Sequence, residues 1–275
     1  MGGTTSRATE SIRPASYRVG DVAVVVLDHP STHNALGSPL LTGLERAVRA
    51  SSDAGAIVLA ADGRHFCVGA DLVEVSAAWG DRGRVGSFLE LFHEVADTIA
   101  TSPVPVIAAV QGCALAGGLE LALACDLIVA ADDAEFGDHH INVDLIPGGG
   151  GSQRLPRAIG ARRALELQML GDRIDAECAL AWGLVQSVQP REMLRERAIA
   201  VAAKIASRDR VAVRRIRDLA RAAATRPPRD GLALELATAI DHLSGSEPPD
   251  ALRRFADKAA DRDARSGHDG ARGEV

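Results

Sequence analysis

The sequence predicts an α/β fold followed by a helical C-terminal region. Short, wholly apolar runs such as Val22–Leu27 and Ala56–Ala60 alternate with segments of helical periodicity. From Ile159 onward the patterns are helical, apart from a short strand near Val185. Two glycine-marked segments, His65–Leu72 and Gly112–Glu120, each place a small residue just after a short apolar run and punctuate the α/β part.

Residues 1–15 are small, polar and aperiodic, which predicts disorder. Val22–Leu27 is a buried strand stopped at Asp28-His29-Pro30. Ser38 caps a helix with Pro39 at its first position; the helix runs to about Ala50 and places Leu40, Leu41, Leu44 and Val48 on one face. Ala56–Ala60 is a second buried strand, turned by Asp62-Gly63. Ser76–Gly86 is glycine-rich and charged, and reads as a mobile loop near a ligand. A helix over Ser87–Ala100, a strand over Val104–Val110, a helix from Gly117 and a strand over Leu127–Ala130 follow. Helices are then expected over 160–170, 175–182, 191–206, 209–224, 230–243 and 249–260, and Asp261–Val275 is charged and expected to be disordered.

Composition narrows the function. A chain of 275 residues buries a large core, and 47% hydrophobic with 3% aromatic residues means packing by small aliphatics. A net charge of −6 argues against a nucleic-acid partner. The basic residues between Arg191 and Arg229 interleave with acidic ones, as on solvated helix faces. Cys67, Cys113, Cys125 and Cys178 form no CxxC pair and read as buried free thiols in a reducing compartment. With no long apolar run and no signal-peptide pattern, the expectation is a cytoplasmic protein without membrane contact. No metal constellation stands out, Gly148–Gly151 lacks the Gly-Lys-Ser/Thr ending of a phosphate loop, and no dinucleotide fingerprint is in place. No metal and no nicotinamide cofactor are therefore expected.

The glycine segments carry the chemistry. Bare backbone N–H groups there can approach a ligand closely, and two aimed at one point make an oxyanion hole. A helix starting at Gly117 adds a terminus that favours negative charge. Glu120 lies one turn on, the lone charge among Ala116, Leu119, Leu121, Ala122 and Leu123. Such a carboxylate must be paired, hydrogen-bonded or poised, with burial raising its pKa. The combination suits a carbonyl that gains enolate character beside an acid/base group.

Phe66–Leu72, Val104–Asp126, Phe136-Gly137, Ile146–Gly148 with Ser152–Leu155, Gly171–Ala176 and Ala181–Val185 together resemble the enoyl-CoA hydratase/isomerase (crotonase) superfamily, from about residue 17 to about 260. The resemblance implies a crotonase-like spiral of repeated ββα units with a C-terminal helical trimerisation region. It divides the chain into a core over 16–200 and a helical region over 201–260, between tails at 1–15 and 261–275. It implies an acyl-CoA substrate, with coenzyme A present as part of the thioester, and a homotrimer or dimer of trimers. By the same resemblance the N–H groups of Ala70 and Gly117 form the oxyanion hole, and Glu120 activates the water that adds at Cβ. Arg64, Val68, Ala70, Asp71 and Leu72 then contact CoA, and Lys258 reaches the CoA of a neighbouring subunit.

The chain departs from the hydratase pattern at one place. Where a second glutamate would protonate Cα, the run Phe136-Gly137-Asp138-His139-His140 places His140. Its pKa suits acid/base work near neutrality. Asp144 orients it if the segment is helical, and His139 is a further supporting candidate. Hydration of a 2-enoyl-CoA is the leading expectation. The alternatives are isomerisation, decarboxylation or C–C bond hydrolysis centred on His140, or acyl-CoA binding without turnover.

Overall fold

The computed structural model describes residues 14–245, 252–255 and 258–259. They fall into two compact units, divided after Arg214.

The first unit is built on two sheets. Strands β1 (Ala15–Val19) and β2 (Val22–Leu27) form a hairpin turned at Gly20, which sits at φ +57°. Helix α1 (Ser38–Ala50) leads to β3 (Ala56–Ala61). Helices α2 (Leu72–Ala78) and α3 (Arg82–Ala100) precede β4 (Val106–Val110), β5 (Cys113–Leu115) and α4 (Gly117–Ala124). Next come β6 (Leu127–Ala131), β7 (Glu135–Gly137), a 3-10 turn over His140–Val143, α5 (Gly151–Ile159) and α6 (Ala161–Leu170). Then β8 (Ile174–Asp175), α7 (Ala176–Ala181), β9 (Ser187–Gln189) and α8 (Leu194–Ala206) follow. α9 (Arg210–Ala223) carries the chain past the division between the units.

The larger sheet runs β1-β2-β3-β4-β6-β9, parallel except for the first pair. Its central strands β2, β3 and β4 are apolar throughout because both faces are covered. Val25, Leu27, Ile57, Leu59, Val106 and Ala108 face a core with α1, α3 and α4. Val24, Val26, Val58, Ile107 and Ala109 face Leu194, Ala198 and Ala202 of α8, whose small side chains let the helix lie close. The smaller sheet, β5-β7-β8, repeats a step: β4–β5–α4 and then β6–β7–α5 each place a strand in both sheets before a helix. Cys67 adds an earlier turn of the same spiral, bridging to Ala114 of β5. This is the expected ββα repeat.

Three expectations are corrected, and four short strands are added. Ser38 is the first residue of α1 rather than its cap; Gly37 is the cap, and the Ser38 N–H donates to Glu74 Oε2 at 2.9 Å. The supposed loop at Ser76–Gly86 is mostly helix, because Asp71 and Asp81 each cap a helix by accepting two backbone N–H groups. The short strands β1, β5, β7 and β8 pass unread in the sequence. The break expected at residue 200 falls inside α8, which is packed against the larger sheet.

The second unit contains α10 (Pro228–Leu243), which starts directly after its cap residue Pro227. Half of the expected 249–260 helix and most of the two tails lie outside the described residues. Residues 252–255 and 258–259 are helical. Among the described residues no helix is long and apolar enough to cross a membrane.

Candidate active site

The two glycine segments lie side by side. Cys67 N–H donates to Cys113 O at 3.1 Å, and Leu115 N–H donates to Cys67 O at 3.0 Å. The approach is so close that a Cβ on Gly118 would fall 2.1 Å from Cys67 O. Ala116 turns the chain from β5 into α4 at φ +47°, a conformation non-glycine residues rarely adopt, and its N–H donates to Gly137 O at 3.0 Å. Gly69 sits against this turn at φ +105°; a Cβ there would lie 3.3 Å from Gly117 N. The neighbouring strand-like pairing with Leu36 uses Gly69 O and Asp71 N–H, and leaves out the N–H of Ala70. Gly117 N–H heads α4, where helical N–H groups have no partner within the helix.

Glu120 is 3% exposed in the first turn of α4. Its Oε1 accepts from the N–H groups of Gly149 at 2.8 Å and Gly151 at 2.7 Å. Gly149 has no room for a side chain: a Cβ would meet the Phe92 ring at 2.0 Å. Glu120 Oε2 is 3.8 Å from His140 Nε2. Burial raises the Glu120 carboxyl above its ordinary value, partly offset by the two glycine N–H bonds and by His140.

His140 opens the 3-10 turn, after His139 at φ +60°. Its Nδ1 lies 2.8 Å from Oδ1 of Asp138, which is 1% exposed. Gln168 of α6 donates to Asp138 Oδ2 at 3.3 Å. Burial disfavours the imidazolium, but the Asp138 hydrogen bond and the Glu120 charge outweigh it and raise the His140 pKa. The raised His140 value favours the imidazolium, whereas the raised Glu120 value works against the carboxylate.

The other sequence candidates divide. The Asp144 expectation is corrected: the segment is a 3-10 turn closed by Asp144 at φ +56°, its backbone N–H donates to His140 O, and its exposed side chain is not among the partners of the His140 ring. His139 turns away, with Nδ1 3.0 Å from Gly171 O. Asp71 is occupied as the cap of α2, and Leu72 is 51% exposed beside it. Val68 N–H donates to His33 O at 3.3 Å, and Arg64 is exposed, its carbonyl held by Arg191. Lys258 is exposed in the second unit. Sequence reasoning gave Asp138 no leading role and missed the Glu120 contacts of Gly149 and Gly151. Their one visible signal was the glycine run at 148–151.

The chain as a whole is similar to known proteins. A family model described as enoyl-CoA hydratase/isomerase matches residues 18–261. A probable enoyl-CoA hydratase of Rhizobium meliloti is 41% identical over 191 residues, covering 68% of this chain and 73% of that protein. A probable mitochondrial enoyl-CoA hydratase of Dictyostelium discoideum is 33% identical, covering 87% of this chain and 86% of its own. The enoyl-CoA hydratase subunit I structure from Geobacillus kaustophilus superposes with a TM-score of 0.84 at 34% identity, covering 91% of this chain and 97% of that one. The fold is that of the crotonases, and the family is one of enzymes. The chain belongs to the enoyl-CoA hydratase/isomerase family.

Proposed function

We propose that this enzyme hydrates a 2-enoyl-CoA, with Glu120 as base and His140 in place of the usual second glutamate. The observation that carries the reading is the facing pair, Glu120 Oε2 and His140 Nε2, 3.8 Å apart, with Glu120 buried and His140 partly buried. The separation exceeds a hydrogen bond, so both atoms keep capacity for substrate and water.

In the proposed reaction the thioester oxygen accepts from the N–H groups of Ala70 and Gly117. Glu120 takes a proton from water as its oxygen bonds to Cβ. The double-bond electrons move toward the thioester oxygen, where the two N–H groups stabilise the enolate. His140 Nε2 then gives a proton to Cα. Glu120 is left protonated and His140 neutral, and proton return across the gap restores the starting pair. Arg64, the backbone from Val68 to Leu72, and Lys258 of a neighbouring subunit bind the CoA. No cofactor is needed beyond the CoA of the substrate.

The assembly we propose is a homotrimer or dimer of trimers. Supporting it, α10 exposes Leu232, Leu236, Ile240 and Leu243 at helical spacing.

The Asp138–His140 pair also suits a second reading, in which neutral His140 is the base of a C–C bond hydrolysis. Product analysis separates the two. Crotonyl-CoA should give 3-hydroxybutyryl-CoA, and both Glu120→Gln and His140→Gln should lose that activity. Cleavage of a β-dicarbonyl thioester without hydration of any enoyl-CoA, dependent on His140 alone, would sink the hydratase reading.

A further inference from the structure

Asp138 is the most deeply buried carboxylate among the described residues. Burial of such a group is costly unless it is paired and hydrogen-bonded. Its ion-pair partner among the described residues is His140, and its second oxygen accepts from Gln168. We propose that Asp138, held by Gln168, is the positioning residue of this site: it fixes the His140 proton on Nδ1 and so makes Nε2 the atom that exchanges a proton with the substrate.

The inference rests on His140 acting at Cα, and it follows from donor and acceptor capacity. An ionised carboxylate accepts only, so the nitrogen 2.8 Å from Asp138 Oδ1 must carry a proton. Neutral imidazole has one N–H. With that proton on Nδ1, Nε2 is a bare lone pair in the neutral ring and an N–H in the cation. Nε2 is also the nitrogen that faces Glu120. The opposite tautomer would leave Asp138 facing a lone pair and would present Glu120 with a proton even in the neutral ring.

Gln168 supplies the stiffness. Its amide N–H donates to Asp138 Oδ2 from α6, so the carboxylate is bonded on both oxygens and cannot rotate away from the ring. The titratable groups facing His140 are Glu120 from α4 and Asp138 from its own segment. From α6 the neutral Gln168 reaches Asp138, and Gly151 of α5 lies against Glu120 and Asp138. Asp138 both raises the histidine pKa and selects its tautomer, whereas Glu120 contributes charge alone.

The test uses the full-length protein with nitrogen-15-labelled histidine, followed by long-range proton–nitrogen NMR from about pH 5 to about pH 10. Wild type, Asp138→Asn and Gln168→Ala are compared, and His140→Gln assigns the resonance. Neutral His140 in wild type should show a protonated Nδ1 and a bare Nε2. In Asp138→Asn its pKa should fall by about 1 unit or more, and the alkaline limb of kcat/KM should move down with it. Gln168→Ala should shift both in the same direction by less, and kcat should fall more than KM changes. A neutral ring protonated on Nε2, or an unmoved His140 pKa in Asp138→Asn, overturns the assignment. If Asp138→Asn does not fold, an unmoved pKa and pH limb in Gln168→Ala overturns it instead. A His140→Gln enzyme with wild-type hydration overturns the functional reading itself, whatever the spectra show.

Discussion

At the scale of single residues, the account turns on two charges that must differ. Glu120 must be ionised to take a proton from water, and His140 must be protonated to give one. Glu120 is raised from 4.5, so activity should fall as pH drops through a value above that. His140 is raised from 6.5, so activity should fall again as pH climbs through a value above that. A pH–rate profile should therefore be a bell, and Glu120→Gln should cost roughly 10²–10⁴-fold in kcat without preventing acyl-CoA binding. Undiminished hydration by Glu120→Gln would remove Glu120 from the chemistry. Glu120 was legible in the sequence because a lone carboxylate in an apolar helix needs an explanation. Asp138 was less so: its partnership with His140 depends on a left-handed His139 and a 3-10 turn, neither of which leaves a periodic trace.

Between residues and the whole chain stand the elements that hold the loops together. Gly118 lies where the backbone of Cys67 passes, so Gly118→Ala should cost roughly 1–3 kcal/mol of stability and impair activity with it. Asn34 does similar work on the other side of the first segment. Fully buried at φ +57°, it accepts from His29 N–H and donates to Asp62 O and His65 O. Asn34→Ala should cost roughly 2–3 kcal/mol, read as a lower denaturant midpoint with an unchanged slope. Long apolar strands such as β2 and β3 were readable because both faces are buried. Residues 76–86 were misread because glycine and charge suggested a loop, while two aspartate caps, visible only once the chain is folded, make helices on either side. The three-residue strands β5 and β7 are too short for any period to show.

For the molecule as a whole, the resemblance in six ordered motifs carried the fold class, and hydrophobic patterning alone carried only the α/β alternation. Assembly is the open prediction at this scale. The exposed apolar face of α10 should be covered by neighbouring chains, so sedimentation should give three or six times the chain mass. Leu236→Asp combined with Ile240→Asp should shift that distribution to smaller species. A wild type that sediments as a single chain at micromolar concentration would contradict the proposed assembly.

The most direct test of the central claim is the pH dependence of kcat/KM for crotonyl-CoA hydration by wild type and His140→Glu. The account predicts hydration by wild type, with an alkaline limb set by His140 that the substitution abolishes while hydration continues. A wild type that does not hydrate any 2-enoyl-CoA, or an alkaline limb that stays in place in His140→Glu, would contradict it.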